Sequence, residues 1–125
     1  MDNLILPGTK TTPYINFNYP DGIMEFSGES YPENSTEFYK PVFEWLKKYF
    51  QSDRKLTIFN FKLIYFNTSS SKAVLDILDL LDEMYIGGHN IIVNWHYHTD
   101  DEDILESGQE FAEGLKIPFN LISYD

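Results

Sequence analysis

The chain has 125 residues, and its 20 Asp and Glu against nine Lys and Arg give a formal net charge of −11. A hydrophobic fraction of 42%, with 17% aromatic residues, predicts one densely packed α/β domain over residues 1–125 rather than a disordered chain. The absence of cysteine excludes a disulfide scaffold, a thiol nucleophile and a zinc–thiolate site, and the acidic balance argues against nucleic acid and anionic membranes as partners.

The first ten residues show neither a basic leader nor a long apolar run, and no stretch approaches the ~18 apolar residues of a membrane span. A cytoplasmic protein is therefore expected. Residues 12–19 read as a strand, Pro20-Asp21-Gly22 as a turn, and residues 23–27 as the returning strand of an antiparallel hairpin. Residues 28–35 form a loop rich in turn and capping types, with Asn34 or Ser35 placed to cap a helix and Glu37 placed to help. That helix is predicted over residues 35–51, with Phe38, Val42, Trp45, Leu46 and Tyr49 as its core stripe. Pro41 predicts a kink or restart. Tyr39, Phe43 and Phe50 make a second apolar strip, to be covered by the fold or by a partner.

Residues 56–66 are apolar and aromatic apart from Thr57, Asn60 and Lys62, the pattern of a central strand buried on both faces. Residues 73–85 switch to helical spacing, with Val74, Ile77, Leu78, Leu81, Met84 and Tyr85 on one side. Gly87-Gly88 then stops the helix. Residues 91–98 make a third core strand. The acids at 100–103 suit a helix N-terminus, and Ile104, Leu105, Gly108, Phe111, Ala112 and Leu115 supply the buried face that follows. Pro118 leads into a last strand. The predicted order is β-β-α-β-α-β-α-β, a mixed sheet with helices packed against it.

Chemistry concentrates at the junction of the central strand and its helix, where α/β folds place ligands. After Asn67 stand Thr68, Ser69, Ser70 and Ser71. One of them can cap the helix, but a cap does not need four hydroxyls. Ser69 to Lys72 matches Ser-x-x-Lys spacing, yet the companion elements of such hydrolases are absent, and Asp76 would hold Lys72 protonated. Without a glycine in residues 67–72 the loop cannot cradle a phosphate through converging amides. Phosphorylation remains, since a phosphoryl group is tolerated near a helix N-terminus and adds roughly −1.5 to −2 charges. His96 and His98 share a strand face near Asp100, a possible metal-dependent hydrolase site. Leu75 points away from its helix's apolar stripe and suits an anchor for a protein partner.

The element order, with hydroxyls where the strand meets its helix, resembles the STAS fold of anti-sigma factor antagonists. More closely, Gly28-Glu29-Ser30-Tyr31-Pro32-Glu33-Asn34-Ser35 and Tyr65-Phe66-Asn67-Thr68-Ser69-Ser70-Ser71-Lys72 resemble the SiaC family of bacterial regulatory phosphoproteins. Pro7-Gly8-Thr9, Thr12-Pro13 and Pro118-Phe119 fit the same pattern. The resemblance implies a non-catalytic switch without a cofactor. Thr68 would be phosphorylated by a cognate kinase and reset by a metal-dependent Ser/Thr phosphatase. The unphosphorylated form would bind a diguanylate cyclase and promote cyclic di-GMP synthesis and biofilm formation. Asn67, Ser69, Ser70, Lys72 and Leu75 would form the partner-binding tip. Asn67 stands where anti-sigma factor antagonists usually carry aspartate, although partner switching of that kind is the alternative within the binding class.

Overall fold

The computed structural model describes residues 1–52 and 56–125. A short strand that the apolar pattern did not mark out opens the chain, β1 (Leu4–Leu6). It is followed by β2 (Tyr14–Asn18), β3 (Ile23–Ser30), α1 (Ser35–Tyr49), β4 (Thr57–Phe66), α2 (Thr68–Ile86), β5 (Ile91–His98), α3 (Glu102–Ala112) and β6 (Phe119–Tyr124). The strands form one six-stranded sheet in sequence order. β1, β2 and β3 are an antiparallel meander, and β3 to β6 run parallel, connected through the three helices.

Each crossover steps to the next strand in the same direction, so right-handed connections place all three helices on one face. This corrects the expectation that the central strand is buried on both sides. Along β4, Thr57, Phe59, Phe61 and Leu63 are buried under the helices, whereas Lys62 and Ile64 are exposed on the open face. The apolar character of the run hid this because Ile58 and Ile64 sit where polar residues usually alternate. The open face has a polar row instead: Asn94 donates to Asn60 at 3.0 Å, Asn120 donates to Asn94 at 3.1 Å, and Lys62 pairs with Glu25 at 3.0 Å.

The covered side is aromatic. Phe26 stacks on Phe61 with centroids 4.9 Å apart, and Trp95 meets Phe61, Phe66, Phe111 and Phe119. The Trp95 indole donates to the Ile104 carbonyl at 2.9 Å, pinning α3 to β5. Most of the second strip on α1 is covered by the fold: Tyr39 and Phe50 belong to the core, while Phe43 is only half-buried. α1 also runs through Pro41 without a restart. Pro41 and Glu37 are both exposed, so water can serve the carbonyl that the missing N–H leaves free. α2 ends in a Schellman turn, with His89 N–H donating to the Met84 carbonyl and Gly88 (φ 112°) in the left-handed region. Among the described residues, no helix is long and apolar enough to cross a membrane.

Candidate functional site

The adjacent C-terminal ends of β3 and β4 build the tip from which α2 departs. Gly28 pairs with Leu63 but Glu29 pairs with Tyr65, which leaves Ile64 as the extra residue of a β-bulge. Gly28 takes φ +95° there, a conformation that other residues rarely adopt. The bulge shifts the alternation of β4, a common use of bulges beside functional sites. Ile64 and Tyr65 are both exposed, at 52% and 49%, while Phe66 turns inward against Trp95 and Phe111.

Asn67 then does two jobs. Its N–H donates to the Ser30 carbonyl at 3.1 Å, holding the end of β3. Its side-chain oxygen accepts from Ser70 N–H at 3.0 Å and from the Ser69 hydroxyl at 3.2 Å, so Asn67 is the N-cap of α2. Asn34 caps α1 in the same way, accepting from Glu37 N–H at 3.1 Å. The two capped turns are joined by hydroxyls. Ser69 and Ser35 are 2.9 Å apart, and a buried chain links Tyr39 to Ser30 (2.6 Å) and Ser30 to Ser70 (2.8 Å). Ser30 donates to Ser70, so the Tyr39 phenol must donate to Ser30. Burial pushes the Tyr39 pKa above its ordinary value and keeps this donor protonated, with the Ser30 and Ser70 bonds acting weakly the other way.

The predicted site residues separate into distinct roles on this frame. α2 begins at Thr68, not at residue 73, so the hydroxyls occupy its first turn. Thr68 is exposed, and its hydroxyl makes no hydrogen bond among the described residues. Ser69 is exposed but engaged with Ser35 and Asn67. Ser70 corrects the expectation of a partner contact: it is fully buried and serves as an internal tether. Lys72 is exposed and pairs with Asp76 at 3.3 Å, one turn along α2. Leu75 is 40% exposed. Between the first turns of α1 and α2 lies an open groove of about 1300 Å³, lined by Phe38, Phe43, Ser35, Ser69, Lys72 and Asp76 among others. Sequence reasoning missed Ser30 and Tyr39 as parts of this frame. Their only signal is a serine ending a strand and a tyrosine one turn into a helix.

The histidines lie elsewhere. His96 and His98 share the open sheet face, but His96 sits 3.4 Å from Asn60, and His98 Nδ1 accepts from Asp100 N–H at 3.0 Å. Burial, with help from the nearby Lys62 charge, lowers the His96 pKa below its ordinary value. Among the described residues, no group of three His, Asp or Glu is arranged to hold a metal ion. The hydrolase alternative therefore has no geometry behind it.

The cap is open to a direct test. Asn67→Ala is expected to destabilise the protein by about 0.5–2 kcal/mol, read as a lower urea midpoint with an unchanged slope. Asn67→Asp, which keeps the accepting oxygen, should recover most of that loss. An alanine variant as stable as the parent would show that the cap is dispensable.

Comparison with known proteins gives one consistent result. The family model described as SiaC family regulatory phosphoprotein matches residues 6–124. A relative from Pseudomonas aeruginosa strain UCBPP-PA14 is 38% identical over 125 residues, covering 100% of this chain and 99% of the relative. The crystal structure of apo-SiaC from Pseudomonas aeruginosa is similar with a TM-score of 0.90 at 38% identity, covering 98% of this chain and 99% of that one. A chain in the crystal structure of the diguanylate cyclase SiaD in complex with its activator SiaC, from the same organism, is similar with a TM-score of 0.93 at 37% identity, covering 97% of this chain and 99% of that one. The six-stranded mixed sheet, the hydroxyl-rich first turn of α2 and these matches agree: the chain belongs to the SiaC family of regulatory phosphoproteins, whose role is regulatory and not catalytic.

Proposed function

We propose that this chain is a cytoplasmic, phosphorylation-controlled activator whose switch residue is Thr68 and whose target is a diguanylate cyclase. One observation carries the choice of residue. Thr68 is exposed and its hydroxyl has no hydrogen-bond partner among the described residues, while Ser69 is engaged and Ser70 is buried. A cognate kinase transfers a phosphoryl group from ATP to Thr68 Oγ1, releasing ADP and the hydroxyl proton. A metal-dependent Ser/Thr phosphatase hydrolyses the ester and restores the hydroxyl. The unmodified form docks on the cyclase through the tip, with the Leu75 side chain as apolar anchor, Lys72 as polar contact, and Asn67 and Ser69 fixing the surface between them. Its activation of the cyclase raises cyclic di-GMP and favours biofilm growth.

The helix N-terminus accommodates the phosphate locally through free amides and the dipole, so modification leaves the fold intact and changes only what the surface accepts. Incubation with the kinase and ATP, followed by fragmentation mass spectrometry, tests the assignment. One phosphate on Thr68 is expected, and none on Thr68→Ala. Phosphate that persists on Ser69 or Ser71 in that variant would move the switch.

A further inference from the structure

β6 is the outermost strand of the sheet, and between the flanking Pro118 and Asp125 its own six residues carry none of the devices that usually keep such edges apart. The opposite edge, β1, has three residues and runs into Pro7-Gly8. β6 has six, without proline, lysine or bulge, and Asn120, Leu121, Ile122, Ser123 and Tyr124 are all exposed. Val93 N–H donates to the Pro118 carbonyl and Thr99 N–H to the Tyr124 carbonyl, so the even-numbered residues turn their backbone groups towards β5. Strand alternation then turns the N–H and C=O of Phe119, Leu121 and Ser123 outward. α3 packs on β4, β5 and β6 from the helix side and leaves this row uncovered.

We propose that this edge pairs antiparallel with the same edge of a second copy of the chain, about a two-fold axis at Leu121. In that register Leu121 faces its own counterpart, Phe119 faces Ser123, and Asn120 faces Ile122. All the outward backbone groups of these residues find partners, and no charge opposes a like charge along the strand. Charge leaves this strand open to a second copy. The chain carries −11, and most of its surface repels a second copy, but β6 holds none of the 20 acidic residues. The acidic residues of α3, among them Glu106 and Glu110, approach their counterparts across the axis, so the contact tightens as salt rises. A contact limited to one six-residue edge falls at the small end of specific interfaces, where association is weak and transient. Antiparallel pairing carries the two Thr68 tips to opposite ends of one continuous sheet.

Sedimentation of the full chain from about 1 to 200 µM, in about 50 and 500 mM NaCl, tests this. A dimer in the micromolar range is expected, tightening several-fold in the higher salt. Ser123→Pro removes an outward N–H without touching the β5 ladder, and Ile122→Lys places a charge beside the axis; both should sediment as monomers with unchanged circular dichroism. If Ser123→Pro fails to fold, Ile122→Lys decides alone, since its side chain is already exposed. A parent chain that stays monomeric throughout, a dimer that Ile122→Lys leaves intact, or an edge that pairs only with a strand of another protein would each overturn the proposal.

Discussion

Thr68→Glu is expected to weaken binding to the diguanylate cyclase by at least about tenfold, or about 1.4 kcal/mol, while the thermal midpoint holds or rises slightly. The two halves of this result have separate causes. An acidic side chain in the first turn of α2 faces free amides and the positive end of the helix dipole, worth about 0.3–1 kcal/mol in favour of the fold. The same charge stands on an exposed tip beside a groove already bordered by Glu33, Glu37 and Asp76. A partner surface matched to a neutral threonine must then desolvate or oppose that charge, and like-charge juxtaposition across an interface costs several kcal/mol. The phosphoprotein, with roughly −1.5 to −2 charges in place of −1, should lose more. Thr68→Val, similar in shape and uncharged, should keep binding and lose phosphorylation. Titration calorimetry at two salt concentrations separates the causes: a loss that shrinks in high salt is electrostatic. Equal affinity of Thr68→Glu and parent would remove charge as the switch.

The largest stability effect is expected at Gly108, where alanine should lower the unfolding free energy by about 2–4 kcal/mol. Inside an exposed helix the same change would stabilise by about 1 kcal/mol, because glycine is a poor helix former. Here a Cβ would run into Trp95 Cδ1, sit 2.6 Å from its Nε1 and lie 2.9 Å from Leu121 Cδ2. The indole cannot move aside, since it is buried among Phe61, Phe66, Phe111 and Phe119 and donates to Ile104 from the same edge. Overpacking of about 1–3 kcal/mol therefore adds to the strain or loss of a buried hydrogen bond, about 1–3 kcal/mol, and outweighs the helix gain. Urea denaturation followed by the fluorescence of Trp45 and Trp95 together measures it. A midpoint equal to or above the parent's would mean that α3 slides on β5 without penalty.

Much of this architecture is legible along the chain because local signals agree there with the tertiary outcome. β5 follows the alternation of its side chains, Gly87-Gly88 stops α2, and Asp101 caps α3 by accepting from Ile104 N–H. What escapes notice depends on contacts distant in sequence. β1 is three residues long, and only pairing with β2 makes it a strand. The start of α2 is misplaced because apolar periodicity begins at Val74, whereas the helix begins where Asn67 can cap it. The site divides the same way. Thr68, the proposed switch, is singled out only by the family resemblance, since the run of four hydroxyls does not by itself favour one of them. The burial of Ser70 follows from Ser30 and Tyr39, residues 40 and 31 positions earlier by subtraction of their numbers, and no local pattern announces that meeting.

The thread from Tyr39 through Ser30 to Ser70 is made wholly of hydroxyl groups. Serine does not titrate in water, and the tyrosine, with its pKa raised on folding, contributes stability fully below about pH 10 and loses it only as pH climbs from there through the raised value. The scaffold beneath the tip is thus blind to every fluctuation in proton concentration a living cell tolerates. Under the proposed switch, the state of the tip would follow the phosphoryl group it carries and not the acidity of the surrounding fluid.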